Sequence, residues 1–286
     1  MIRCSIITCV YNQLPLTKLF IESVRRHTLI PYQLIVVNNG STDGTREYLQ
    51  GLSDVTVIEN DKNYGVSKGW NQGVQMAKAP YVCICNNDVV VTKGWLESLL
   101  IEMERDNQIG LVSPVENTYM WGHPHNFPDE SIVNRSDEPI GWSLPELDRF
   151  YGGFSQFAES FTGRNCDLRI FDIHFSVVVI RKSLFDLVGG FEEGFGKAFW
   201  EDVDFVQRVL IASCWNKVEI YGGAYVHHFG NATSREFGHP QLIDSGKAFT
   251  RKWGSIGDKI YQDLKLHQLN QQRIEKWRNI WREERA

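Results

Sequence analysis

The chain lacks any run of about 20 apolar residues, the length that a membrane-spanning helix needs, so no transmembrane segment is expected. Its opening, Met1-Ile-Arg-Cys-Ser-Ile-Ile-Thr8, is too short an apolar run for a signal peptide and reads as a first strand. No C-x-x-C pair occurs among the six cysteines at 4, 9, 83, 85, 166 and 214. Cys83 and Cys85 stand two apart in a strand and point the same way, which is poor disulfide geometry. They read as small buried residues in a reducing cytosol. There is no G-x-x-x-x-G-K-[ST] and no G-x-G-x-x-G after a strand, which removes the P-loop and dinucleotide classes. Basic excess is missing too: 30 Lys and Arg face 35 Asp and Glu, a net charge of -5 that argues against nonspecific nucleic-acid binding.

What is present suffices for a core, with 42% hydrophobic and 12% aromatic residues in 286. Up to about residue 115, strand and helix signals alternate. Strands are expected at Cys4–Thr8, Gln33–Val37, Thr56–Glu59, Tyr81–Cys85 and Gly110–Ser113, and helices at Leu16–His27, Thr45–Leu52, Ser67–Ala77 and Gly94–Arg105. In the last helix Leu96, Leu99, Leu100 and Met103 share one face. Such alternation implies an α/β fold with parallel strands and right-handed crossovers. Residues 116–165 lose the rhythm and read as a long aromatic-containing excursion. A strand at Ile173–Ile180, helices at Lys182–Val188 and Trp200–Ala212, and short strands at Val218–Tyr221 and Ala224–His227 follow. The tail is helical and charged, with Ile274, Trp277 and Trp281 in a narrow apolar stripe suited to packing on the body or on a second copy.

Polar clusters end the apolar runs. Tyr81-Val-Cys-Ile-Cys runs into Asn86-Asn87-Asp88, which puts those side chains at the carboxyl edge of a sheet, where open α/β folds bind ligands. One acid with two amides suits a divalent cation holding a phosphate. Ile6-Ile7-Thr8 opens into Cys9-Val10-Tyr11-Asn12, and Val36-Val37 opens into Asn38-Asn39-Gly40-Ser41-Thr42-Asp43, where Thr42 or Asp43 can cap the next helix. Asn63-Tyr64-Gly65 leads through Lys68 to Asn71-Gln72-Gly73. Far along, Trp200-Glu201-Asp202-Val203-Asp204 begins a helix with acids.

In this order the stretches Ser5–Asn12, Val36–Thr45, Asn63-x-Gly65 with Asn71-x-Gly73, Asn86-Asn-Asp88, and Gly189-Gly-Phe-x-Glu193 with Trp200–Asp204 resemble family 2 glycosyltransferases of the GT-A fold. The resemblance covers roughly residues 2–235 and implies a Rossmann-like mixed sheet flanked by helices. Residues 1–115 would bind a nucleotide-sugar donor, 116–235 would shape the acceptor side, and 236–286 would be a C-terminal helical extension.

The resemblance also implies roles. Thr8, Val10, Tyr11, Asn39, Asn63, Gly65, Lys68, Asn86 and Asn87 would line the donor, with Tyr11 beside the base and Asn87 near the ribose. Asp88 would bind Mn²⁺ or Mg²⁺ bridging the diphosphate, joined by a late histidine. Of His227 and His228, which face opposite sides of a strand, His228 is favoured. Asp202 would be the general base, with Glu201 beside it. At a helix start the dipole should lower the Asp202 pKa. Trp121, Trp142, Phe154 and Trp200 are acceptor-side candidates.

Two departures from the family pattern stand out. Asn86 replaces the usual first acid of the metal motif, and the Q-x-x-R-W signature of processive members is absent. The expectation is an inverting, non-processive, metal-dependent transferase in the cytoplasm or peripheral to a membrane. Its donor would be a UDP-sugar, and its acceptor a cell-surface glycan or lipid-linked saccharide. The alternatives are a non-catalytic nucleotide-sugar-binding protein, or a transferase acting on protein or a modified nucleobase.

Overall fold

A computed structural model describes residues 1–117, 145, 148–149, 153–167, 169–170, 175–212, 217–230, 243–254, 276 and 279. Trp121, Trp142, Cys214 and the stripe of Ile274, Trp277 and Trp281 lie outside the described residues.

Among the described residues nine strands form one sheet: β1 (Cys4–Val10), β2 (Tyr32–Asn38), β3 (Val55–Glu59), β4 (Tyr81–Cys85), β5 (Val89–Val91), β6 (Ile109–Glu116), β7 (Arg169–Ile170), β8 (Val177–Arg181) and β9 (Lys217–His228). Their order is β3-β2-β1-β4-β8-β6-β9-β5, with β7 beside β9. The parallel pattern expected of the first half holds for β3, β2, β1 and β4. It ends at β8, which inserts antiparallel between β4 and β6. β6 then runs parallel to β9, and β5 runs antiparallel to it.

Both faces of the sheet are covered, as near-continuous apolar strands require. Ile6, Val36, Cys83 and Cys85 face α1 (Leu14–His27) and α4 (Trp95–Arg105), packing with Phe20, Val24 and Leu99. Ile7, Ile35, Val82 and Ile84 face α3 (Val66–Gln75) and pack with Trp70 and Val74. Each fully buried Val, Leu, Ile or Phe among them contributes about 1.5–3 kcal/mol of transfer free energy. α3 lies close against β1 because Gly69 and Gly73 offer no side chain. A Cβ on Gly69 would collide with Cys9 Sγ, and one on Gly73 with Ile7 Cγ2. That is the physical reason for the glycine of the Asn71-x-Gly73 motif. α1 carries Arg25, Arg26 and His27 in its last turn, where cations suit the negative end of the helix. Among the described residues no helix is long and apolar enough to cross a membrane.

Two expectations need correction. The short strands at 218–221 and 224–227 are one strand, β9, whose pairing with β6 shifts register between Pro114 and Val115. Part of the excursion is helical: α5 (Phe154–Asn165) packs on β9, burying Phe154, Ala158 and Phe161 around Tyr225. Phe154 is 5% exposed and meets the His227 ring edge-on at 5.7 Å. It therefore belongs to the core and is removed from the acceptor-side candidates.

The chain continues through α6 (Lys182–Val188), a short 3₁₀ turn at Glu193–Phe195, α7 (Glu201–Ala212) and a helix over 243–254, here α8. α2 spans Thr45–Gln50.

Candidate active site

The edge after β4 is built from three strands. Asn86 N donates to Ser176 O (2.8 Å), just before β8. Phe229 N donates to Asp88 O (3.0 Å), and Val89 pairs with His228 in the β5–β9 ladder. These bonds bring His228 to Asp88: His228 Nε2 lies 3.2 Å from Asp88 Oδ1. His227, one residue earlier, faces the other way. It is fully buried between Phe154 and Phe229, so strand alternation sorts the two histidines.

The other side of the His228 ring meets a residue that sequence reading passed over. Nδ1 lies 3.4 Å from Glu116 Oε2, at the end of β6. Ser176 Oγ donates to that same Glu116 oxygen. Asn117 braces the backbone, accepting from His228 N at 2.7 Å and donating to His228 O at 3.0 Å. Burial pushes the His228 pKa down, but the carboxylates of Asp88 and Glu116 outweigh it and hold the imidazole well above its usual value. A signal for Glu116 existed: Ile109–Glu116 is another apolar run ending in polar residues at the same edge.

Among the described residues no group of three or more His, Cys, Asp or Glu is arranged to hold a metal ion. The Asp88–His228 pair nevertheless fits two ligands of one ion. Its 3.2 Å separation is close to the roughly 3 Å between neighbouring ligands of an octahedral ion bound at about 2.1 Å. An imidazole whose second nitrogen faces a carboxylate is the usual arrangement of a ligating histidine.

The ends of β1, β2 and β3 converge on Asn39. Its Nδ2 lies 3.0 Å from Gly65 O and 3.0 Å from Cys9 Sγ, and its Oδ1 accepts from Asn60 Nδ2 at 2.8 Å. The side chain is thus committed to joining three loops. The pKa of Cys9, half-buried at this junction, is pushed up to about 12 by desolvation, with the Asn39 contact opposing that effect. Asn63 Oδ1 accepts from Gly65 N at 2.9 Å, and Lys68 Nζ stands 4.0 Å over the Tyr64 ring. Asp43 caps two helices. Its Oδ1 accepts from Thr45 N (3.2 Å) at the start of α2, and its Oδ2 from Leu14 N (2.9 Å) at the start of α1. Asn87 is buried, with Nδ2 3.3 Å from Thr17 Oγ1, and Tyr11 is half-buried just past β1. The Thr8 and Val10 side chains are fully buried, and Val10 O is taken by Asn39 N at 2.8 Å. These two residues support the edge from inside the sheet and do not line it with their side chains, a correction to the donor-lining expectation.

The acidic helix reaches the same edge through its preceding loop. Val66 N donates to Lys197 O at 2.9 Å, and Asn71 bonds Phe191 through both its amide nitrogen and its oxygen. A Cβ on Gly65, at φ 91°, would stand 2.6 Å from Gly196 O, so only glycine admits this contact. α7 then begins with Glu201, buried, and Asp202, half-buried. Burial first, and the neighbouring Asp202 charge second, push the Glu201 carboxyl up to about 8. Asp204 is fully buried and held by Arg208 Nε at 2.8 Å, Lys252 Nζ at 2.8 Å and Trp253 Nε1 at 2.8 Å. Trp200 stacks on Phe249 with ring centroids 4.7 Å apart.

The Glycosyl transferase family 2 model matches residues 5–186. The chain is 28% identical over 236 residues to the chondroitin synthase of Pasteurella multocida, covering 75% of this chain and 24% of that protein. It is 25% identical over 256 residues to the N-acetylglucosaminyl-diphospho-decaprenol L-rhamnosyltransferase of Mycobacterium tuberculosis, covering 81% of this chain and 78% of that one. Two solved structures superpose with a TM-score of 0.54: S. aureus TarS 1–349, 13% identical and covering 85% of this chain and 65% of that one, and the mannosyltransferase PcManGT of Pyrobaculum calidifontis in complex with GDP-Man and Mn²⁺, 15% identical and covering 97% and 83%. At these identities the likeness concerns the fold, which is the mixed, helix-flanked sheet of GT-A glycosyltransferases.

Proposed function

The chain belongs to glycosyl transferase family 2, and from that premise we propose that it transfers a single sugar, with inversion, from a nucleotide diphosphate sugar to an acceptor hydroxyl. The observation that carries the reading is the Asp88–His228 pair, 3.2 Å apart at the carboxyl edge of β4. Asp88 and His228 would hold Mn²⁺ or Mg²⁺, and such an ion offsets the negative charge that grows on a departing diphosphate. The mannosyltransferase solved with GDP-Man and Mn²⁺ supports a divalent ion in this fold. Glu116 would keep the His228 ring turned so that Nε2 faces Asp88. Asn39 would act by holding the donor loops together rather than by touching the base.

In the transfer, the acceptor oxygen forms a bond to the anomeric carbon as the bond from that carbon to the diphosphate oxygen breaks. The electron pair leaves with the diphosphate. Asp202 takes the acceptor proton, a role worth about 10²–10⁴-fold in rate. Glu201 stays protonated below about pH 8 and stands beside Asp202 as a neutral partner. Two adjacent carboxyls in different surroundings divide the work in this way.

For the acceptor, we propose a lipid-linked saccharide. The support is the rhamnosyltransferase named for a diphospho-decaprenol-linked sugar, whose match spans 81% of this chain. We take a UDP-sugar as the first donor to try. A donor panel tests the reading: nucleotide release should occur with one donor in Mn²⁺ and stop with EDTA. Donor binding without turnover, for every donor and acceptor offered, would refute it.

A further inference from the structure

The turn that leads into the acidic helix is strained. Phe199 and Trp200 both adopt left-handed backbone, at φ 77° and 74°. Two consecutive aromatic residues there cost about 1–3 kcal/mol each, and such geometry persists only where the surroundings impose it. Both residues immediately precede Glu201 and Asp202, so whatever imposes the turn also sets where those carboxyls point.

The surroundings are supplied by α8. Ser245, fully buried, places its Oγ 2.6 Å from Phe195 O and 2.9 Å from Ala198 O, the two carbonyls before the turn. Phe249 covers the Trp200 ring at 4.7 Å, and Gly246 lets the indole approach, since a Cβ there would stand 3.3 Å from Trp200 Nε1. Past the turn, Trp253 Nε1 and Lys252 Nζ both reach Asp204 Oδ1 at 2.8 Å. Lys252 also reaches back to Glu192 Oε2 at 2.9 Å. One helix therefore grips the chain on both sides of the strained pair.

We propose that α8 is the positioning element of the catalytic acid pair, with Ser245 acting through the carbonyls before the Phe199–Trp200 turn and Trp253 through Asp204 after it to aim Asp202. This rests on the reading of Asp202 as the general base. A misplacement of about 1 Å at a reacting group can cost on the order of 100-fold in rate. Ser245→Ala and Trp253→Phe should each lower kcat about 10- to 100-fold while the donor Kd, by calorimetry, stays within about twofold.

A double-mutant cycle separates positioning from general stability. In an Asp202→Asn background, where no base remains to be aimed, Ser245→Ala should cost nothing further in single-turnover rate. Equal losses with and without the Asp202 carboxylate would overturn the inference, as would a kcat unchanged in both Ser245→Ala and Trp253→Phe. Should Ser245→Ala fail to fold, Trp253→Phe keeps an aromatic ring in the buried cluster while removing the Nε1 donor, and carries the same cycle. Failure of the underlying reading would look different: Asp202→Asn alone would leave the rate of the otherwise native protein unchanged.

Discussion

Two groups of buried acids, one at the sheet edge after β4 and one at the start of α7, settle the cost of burial in opposite ways. At the β4–β6–β9 corner, Asp88 and Glu116 enclose one imidazole, and the two carboxylates drive His228 well above its usual pKa. At the start of α7, Asp204 has Arg208, Lys252 and Trp253 around it, while Glu201 has no cation among its described neighbours and its Oε2 is buried without a hydrogen-bond partner. Glu201 answers burial by keeping its proton up to about pH 8. Desolvation acts against charge in both regions, and the charge state follows from which partner the backbone delivers. One corner surrounds an imidazole with two carboxylates that favour its charged form, and the other sets a neutral acid beside a half-exposed carboxylate.

The contrast breaks most sharply at Asp202. Asp202→Asn should lower kcat by about 10²–10⁴-fold with donor affinity preserved, read by kcat beside calorimetry; an unchanged kcat would move the base elsewhere. Next comes the cation corner. Asp88→Ala should remove metal-dependent donor binding, and normal donor affinity in Mn²⁺ would show that Asp88 holds no ion. Glu116→Gln leaves both proposed ligands in place, so it should weaken Mn²⁺ binding by about 10- to 100-fold, read from titration of the purified protein. Within the same corner, His228→Ala should impair Mn²⁺ binding while His227→Ala lowers the melting temperature instead, because His227 packs against Phe154 and Phe229. The reverse order would exchange their places.

The smallest effect concerns pH. The folded-state pKa of Glu201, about 8, lies above its unfolded value near 4.5. Between those values the unfolded chain gives up this proton and the folded chain keeps it, so stability falls as pH rises from about 4.5 to about 8 and levels off above that. Urea midpoints at several pH values should show this slope in the native protein and a flatter one in Glu201→Gln. Parallel slopes would mean that Glu201 titrates as an ordinary surface acid.

Particular residues show where sequence reasoning reached and where it stopped. Asn86-Asn87-Asp88 was legible because an apolar strand that ends in polar residues must show them at the sheet edge. Glu116 followed the same rule but lay beyond Pro114, and a proline inside an apolar run reads as a strand end. Here it sits at a register shift, one of the few places where a strand tolerates it. α5 carried its own helical spacing in Phe154, Ala158 and Phe161, hidden by the glycines before it and the irregular stretch around it. The two-residue period of a strand limited the edge to one of His227 and His228, and the family resemblance of the segment that follows favoured His228.

By themselves, the residues determined the alternation of strands and helices, the polar strand ends, and the family pattern they make together. These are local properties, written in spacing and in the chemistry of neighbours along the chain. Only the tertiary structure decided that β8 enters between β4 and β6, that Glu116 and Asp88 share one imidazole, and that α8 reaches back to hold the turn before Glu201. Each of those contacts joins segments at least 47 residues apart, and nothing in the local pattern of either segment names its partner. Which segments meet is set by how the whole sheet and its covering helices bury their surfaces together.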